Sequence, residues 1–398
     1  MAQLRYANIN FKNRFAGTLS ETPDGGSAFE YASEFTEAIA CALPRDSGRH
    51  PWPTGLHPFF EHLGPEGWLR SRQAHAAEIA IEDDFGILMA YGSDCIGAVS
   101  VHDPAAPPSQ IHGKPLDDLT AAAVQSRRTI SGVTPKMLVA ERDGAFFAAG
   151  PAEPAPYIAK FPTDDIGTLV SNEDLSLRLA RLLLGDSRVT RARRTIIKGI
   201  QRPALVVTRF DRTKNNEKLR LEDFAQILTR PRLRDFSGKY DAGFEDGGDA
   251  IRRHSTRPEI DVLRYFQQIV AYALIGNCDC HLKNFSLLET PEGLRLSPAY
   301  DIVNTYVYAP QGYSTEFGLR IDGMRHELEA IDQPVLTRLG TNLGLPPRAV
   351  AGVFLEFAKK RKKVAATIIP PRGMDRDDDY RGFYADIVAS AYVRICPE

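Results

Sequence analysis

The chain of 398 residues is 43% hydrophobic and 25% charged, with a formal net charge of −2, which excludes a disordered chain and gives no global field for nucleic acid or an anionic membrane. The five cysteines (Cys41, Cys95, Cys278, Cys280, Cys396) are an odd number without framework spacing, and the N-terminus lacks a basic-then-apolar signal, so a reduced, cytoplasmic setting is expected. No apolar run approaches the roughly 18 residues of a membrane span, and the length suits two or three lobes.

Up to about residue 105 the chain mixes short apolar segments with turn residues such as Pro23-Asp-Gly-Gly26, which predicts a small α+β unit. A Pro- and Ala-rich loop follows from Val101. From about 127 the pattern is strand-rich, at 129–133, 136–140, 145–147 and 157–161, and predicts one antiparallel sheet. Ser171, as a cap, and the acids after it open a helix with leucines at 175, 179, 182 and 183, closed by Gly185. Residues 204–210 read as a strand running out of this lobe, and 211–217 as a polar linker. Pro258 begins a helix in which Ile260, Leu263, Phe266, Val270 and Leu274 mark the buried face as far as Gly276. Residues 285–288 and 294–296 form a candidate hairpin, and 350–364 and 385–393 read as helices.

The chemistry concentrates after Gly276. Asp279 is followed five residues later by Asn284, and after the hairpin comes Asp301. That order supplies a base for a hydroxyl proton and two ligands for Mg²⁺, as phosphoryl transfer from ATP requires. His281 and Lys283 lie beside Asp279. A cation there stabilises developing phosphoryl charge, and the histidine is better read as a brace of the loop than as a proton carrier. Lys160, in Tyr157-Ile-Ala-Lys160, stands where a strand lysine would contact the α- and β-phosphates, and Glu173 is its natural partner. Gly132, Val133 and Lys136 belong to a loop whose backbone amides suit phosphate, although it holds no G-x-G-x-x-G. The hydroxyls of Thr129 and Ser131 in that loop are candidates for phosphorylation. Val207, Thr208, Arg209 and Phe210 are expected to hold adenine through the backbone. Cys278-x-Cys280-His281 is not read as zinc, because a structural site needs about four ligands and the other cysteines are scattered; the two thiols read as loop residues open to oxidation. The basic runs at 188–202 and 359–363 read as solvated charge.

Taken together, these residues resemble the HipA family of bacterial toxin kinases. Thr129-Ile-Ser-Gly-Val-Thr-Pro-Lys136 is similar to that family's phosphate loop, Val207-Thr-Arg-Phe-Asp-Arg212 to its hinge signature, and Asn277 to Asn284 with Pro298-Ala-Tyr-Asp301 to its catalytic and metal motifs. Phe59-Phe-Glu-His-Leu-Gly and Gly92-Ser-Asp-Cys-Ile-Gly resemble its N-terminal subdomain. The resemblance implies an α+β, bilobal, protein-kinase-like fold. Its parts would be an N-terminal subdomain (1–105), a strand-rich N-lobe (106–213) and a helical C-lobe (214–398). It further implies a Ser/Thr kinase using ATP and Mg²⁺, a translation component such as an aminoacyl-tRNA synthetase as substrate, and autophosphorylation of the loop. The partner it implies is a HipB-like helix-turn-helix antitoxin, with DNA reached only through that complex. The sequence departs from the family at Thr134, where Gln is usual, at Thr129, where Ser is common, and at Cys280, where Arg is common; an arginine that neutralised substrate charge would be missing here. A small-molecule or lipid kinase, or an inactive scaffold acting as co-repressor, are the competing readings.

Overall fold

A computed structural model describes residues 4–105, 119–126, 128–130, 134–150, 153–163, 165–369 and 380–397. The chain divides into two compact units, Met1–Thr163 with Arg193–Gly238, and Asp164–Ala192 with Lys239–Glu398. Lys136, Lys160 and residues 207–210 belong to the first; Glu173, Asp279, Asn284 and Asp301 belong to the second.

The first unit contains two sheets. One is antiparallel in the order Arg49–Trp52, Ser27–Tyr31, Arg14–Glu21, Tyr6–Phe11, Val99–His102. Ile9, Phe11, Leu19 and Phe29 point to one face, as strand alternation demands, and pack on Phe59 and Phe60. The other closes as a barrel in the order Arg202–Thr208, Tyr157–Lys160, Lys136–Arg142, Ala145–Ala148, Ala192–Lys198, with the last pair parallel. The expected antiparallel sheet is thus a barrel completed by the 192–198 strand, which sequence reading took for a solvated basic run; its arginines do face outward, while Ile197 is fully buried. Residues 129 and 130 lie outside any strand, and 131–133 lie outside the described residues.

The polar 211–217 stretch begins with two buried charges, Asp211 and Arg212, before it turns mostly exposed at 214–217. Asp211 is 2% exposed, accepts from Arg209 Nη2 and Arg212 Nη1 at 2.8 Å each, and takes the Gly97 amide at 2.8 Å. Arg212 reaches on to Asp94 at 2.6 Å. The two motifs that looked unrelated in sequence, Gly92 to Ala98 and Arg209 to Arg212, are therefore halves of one buried ionic lock.

The second unit is built on the helix Pro258–Ile275. Val262, Tyr265, Phe266, Ile269, Val270 and Leu274 are at most 2% exposed, so its C-terminal turns are buried nearly all round. Ile260, expected in the core, is 43% exposed, while the next residue, Asp261, is fully buried and faces the hairpin through Arg295. The helix Leu169–Leu184 starts two residues before Ser171, with Thr168 at its N-cap; Ser171 lies inside the first turn and is buried. The hairpin Ser286–Thr290 with Gly293–Leu296 forms as expected, in the register Leu287 to Leu296. The predicted 350–364 helix is two helices, Pro347–Ala358 and Arg361–Ile368, and the last helix spans Tyr380–Ile395. Among the described residues, no helix is long and apolar enough to cross a membrane.

Candidate functional site

The buried helix delivers a loop whose backbone is closed on itself. Gly276 ends the helix in the left-handed region at φ +89°, where a Cβ would lie 2.7 Å from Asn304 Oδ1, so only glycine fits. The Asp279 amide donates to Asn277 Oδ1 at 3.1 Å, and the Asp279 carbonyl accepts from the His281 amide at 3.0 Å and Asn284 Nδ2 at 2.6 Å. Holding the amide nitrogen of Asn284 in this way leaves its Oδ1 as the acceptor suited to a hard cation.

The Asp279 side chain is about half exposed, at 49%. Its Oδ1 accepts a short hydrogen bond from the Tyr240 hydroxyl and lies 3.9 Å from His281 Nε2. Tyr240 meets the His281 ring edge-on at 5.1 Å. His281 and Lys283 are 6% and 8% exposed. Sequence reading missed Tyr240, and no spacing signal exists for a side chain that arrives from 39 residues upstream of the loop.

Asp301 adopts φ +54°, an uncommon conformation for a non-glycine residue that costs on the order of 1–3 kcal/mol and is typical of functional positions. Its neighbour Tyr300 donates to the Lys283 carbonyl at 2.7 Å and also hydrogen-bonds Ser286. The segment bearing Asp301 is thereby tied to the residue next to Asn284. Beyond it, Asn304 and Asn172 exchange backbone–side-chain hydrogen bonds at 3.0 Å, both fully buried. This pair anchors the metal-motif segment to the helix that carries Glu173, itself 4% exposed. An amide oxygen and one carboxylate on fixed backbone suit Mg²⁺, which takes few protein ligands and completes its shell with phosphate and water. Among the described residues no group of three or more His, Cys, Asp or Glu is placed to hold a metal by itself.

The cysteines flanking Asp279 point inward. Cys278 is 4% exposed and Cys280 fully buried; burial pushes the Cys278 thiol up to about 12 and the Cys280 thiol well above its ordinary value. Both stay protonated and shielded at neutral pH, against the expectation of easy oxidation. The Cys280 side chain also occupies a core position against Gly318, so this site offers no place for a substrate-facing arginine. Gly318 has φ +46°, and a Cβ there would stand 2.4 Å from the Cys280 carbonyl and 2.6 Å from its sulfur. Gly318→Ala should cost about 1–3 kcal/mol. Thermal melting reads that loss, and faster amide exchange at 278–281 would localise it to the loop.

In the barrel, Lys136 and Lys160 are direct cross-strand partners. Directly opposed residues send their side chains out on the same sheet face, so the two ammonium stems leave the barrel side by side. Lys136 is 4% exposed. The strand Arg202–Thr208 pairs with the Lys160 strand, Leu205 facing Lys160. Arg209 serves as a strut: its amide donates to the Pro156 carbonyl at 2.9 Å and its side chain lies in the ionic lock. Thr129 is 1% exposed, with its hydroxyl donated to the Leu63 carbonyl at 2.8 Å. Ser131, Gly132 and Val133 lie outside the described residues.

A family model described as the HipA N-terminal domain matches residues 7–102, and one described as the HipA-like C-terminal domain matches residues 128–365. The chain is 27% identical over 395 residues to Y4mE of Sinorhizobium fredii, covering 91% of this chain and 92% of that one. It is 26% identical over 359 residues to the serine/threonine-protein kinase toxin HipA of Shewanella oneidensis, covering 80% of this chain and 79% of the relative. Among solved structures, a chain from the Shewanella oneidensis MR-1 toxin–antitoxin complex of HipA, HipB and operator DNA superposes with a TM-score of 0.76 at 21% identity. The match spans 98% of this chain and 97% of that one, so the fold is shared.

Proposed function

The chain belongs to the HipA family, and from that premise we propose that it is an ATP- and Mg²⁺-dependent Ser/Thr protein kinase acting as the toxin of a toxin–antitoxin module. The observation that carries this reading is the catalytic loop: Asn284 is locked by its Nδ2 onto the Asp279 carbonyl while the Asp279 carboxylate stays half exposed.

In the mechanism this supports, Asp279 takes the proton of the substrate hydroxyl as that oxygen bonds to the γ-phosphorus and the bond to the β-phosphate oxygen breaks, releasing ADP. Mg²⁺, when bound, neutralises charge on the phosphate oxygens, and Asn284 and Asp301 are the residues that would hold it. Lys160 and Lys136 are assigned to the phosphates of ATP, and the backbone near Val207 and Thr208 to adenine. Lys283 supplies a fixed positive charge in the loop, and His281 braces it. Glu173, buried near the start of its helix, is assigned to the nucleotide-binding set.

A translation component of the aminoacyl-tRNA synthetase type is the proposed protein substrate. A HipB-like helix-turn-helix protein is the proposed antitoxin, with DNA engaged only through their complex; the shared fold with a chain from the HipA, HipB and operator DNA complex supports it. The test is incubation of the purified chain with labelled ATP and Mg²⁺, alone and with a bacterial lysate. Label on a discrete lysate protein supports the reading. Labelling of small molecules or lipids but of no protein would replace it with a small-molecule kinase.

Autophosphorylation is proposed at Ser131 rather than Thr129, because the Thr129 hydroxyl is buried and already donated to Leu63. Ser131→Ala should remove the self-label and Thr129→Val should keep it. Phosphopeptide mapping decides, and phosphate on Thr129 would refute the assignment.

A further inference from the structure

We propose that Tyr240 is a positioning residue for the catalytic base, fixing the Asp279 carboxylate so that one oxygen is held and the other is presented to the substrate hydroxyl. The inference rests on the kinase reading and adds to it a residue from outside the catalytic loop.

The bonds within the loop fix the Asp279 main chain on both sides, through its amide and its carbonyl. They leave the side-chain torsions undetermined. For a half-exposed aspartate those torsions are soft, and a base that samples several rotamers spends only part of its time in line for proton transfer. The Tyr240 phenol supplies the missing constraint by donating to Oδ1. His281 Nε2, 3.9 Å from the same oxygen, lies too far for a full hydrogen bond and does not duplicate it.

Tyr240 is itself held on three sides. Its ring packs edge-on to His281 at 5.1 Å, the Lys239 ammonium lies 5.4 Å from its ring centroid, and its carbonyl accepts from Arg325 Nη2 at 3.3 Å. Arg325 in turn pairs with Glu316 at 3.3 Å. A phenol so held is rigid enough to impose geometry on the more exposed carboxylate. With Oδ1 occupied, Oδ2 is the oxygen left to receive the substrate proton. This division of labour is the one a general base needs: one oxygen anchors, the other reacts.

Tyr240→Phe deletes only the hydroxyl and keeps the ring against His281. The full-length variant is compared with wild type in steady-state phosphoryl transfer, in ATP binding by titration and in thermal melting. The expected result is a roughly 10- to 100-fold fall in kcat, the size of a lost hydrogen bond to a charged group, with KM for ATP, ATP affinity and melting temperature unchanged. Tyr240→Ala, which also removes the ring from His281, should lower kcat at least as far. A Phe variant with wild-type kcat overturns the proposal, as does a loss that appears equally in ATP affinity or in melting temperature, which would mark a purely structural tyrosine. If wild type itself transfers no phosphate, the kinase reading fails and takes this assignment with it; an active wild type with an indifferent Phe variant defeats this assignment alone.

Discussion

Asp279→Asn should lower the rate of phosphoryl transfer by about 10²- to 10⁴-fold, the usual worth of a general base, while leaving ATP affinity and thermal stability near wild type. The separation follows from where the carboxylate sits. Its side chain is half exposed, so no buried charge is created or removed, and an Asn oxygen can still accept the Tyr240 hydroxyl. The loop's own hydrogen bonds use the backbone of residue 279, which the substitution does not alter. What disappears is the ability to take a proton. His281 cannot substitute, since it is buried and its Nε2 faces the same oxygen that Tyr240 occupies. Asp301→Ala should be as damaging to transfer, but through metal: raising Mg²⁺ should partly restore that variant and leave Asp279→Asn unchanged. An Asp279→Asn protein with wild-type turnover would end the assignment of the base.

How far these roles could be read from sequence depends on whether their signal is local. The hairpin between Asn284 and Asp301 is legible because its two apolar segments and its turn lie within one short stretch, and the order Asp279, Asn284, Asp301 is visible there as a candidate site. So is the helix ending at Gly276, where a left-handed glycine follows the apolar run. The supports of the loop were not legible, because each is a contact between distant segments: Tyr240 on Asp279, Asn172 with Asn304, Gly318 under Cys280. Burial was the second blind spot. A polar stretch such as 211–217 reads as linker until a partner such as Gly97 or Asp94 is known, and Thr129 reads as an open hydroxyl until Leu63 is seen to hold it. The barrel was read as an open sheet for a related reason: its closing strand, Ala192–Lys198, carries exposed Arg193, Arg194 and Lys198 and buries only Ile197, so it shows no apolar alternation to a pattern search.

The ionic lock gives the largest stability effect. Asp211→Ala should destabilise the first unit by about 3–5 kcal/mol, the cost of leaving a buried charge without its partner, and lower its melting temperature by roughly 10 °C. Arg209 and Arg212 are 5% and 8% exposed, and each loses a 2.8 Å contact. Asp94 retains Arg212 at 2.6 Å but stands 3.6 Å from Arg209, too far to replace the two hydrogen bonds that Asp211 accepts from that guanidinium. The same lock sets a pH signature. Burial pushes the Asp211 carboxyl up, but the guanidinium charges of Arg209 and Arg212, the Arg209 hydrogen bond and the Gly97 amide together outweigh it and hold the group at about 2, below its ordinary 3.8. A depressed carboxylate stabilises the fold fully above its unfolded value and loses that contribution as pH falls through its folded value. The contribution of Asp211 should therefore be intact at neutral pH and disappear between about pH 4 and pH 2. The gap between wild type and Asp211→Ala in denaturant titrations across that range should narrow towards the acid end, because protonation removes from wild type the charge-dependent part of what the substitution has already removed. A gap between the two that stayed constant down to pH 2 would show that Asp211 acts by packing rather than by charge.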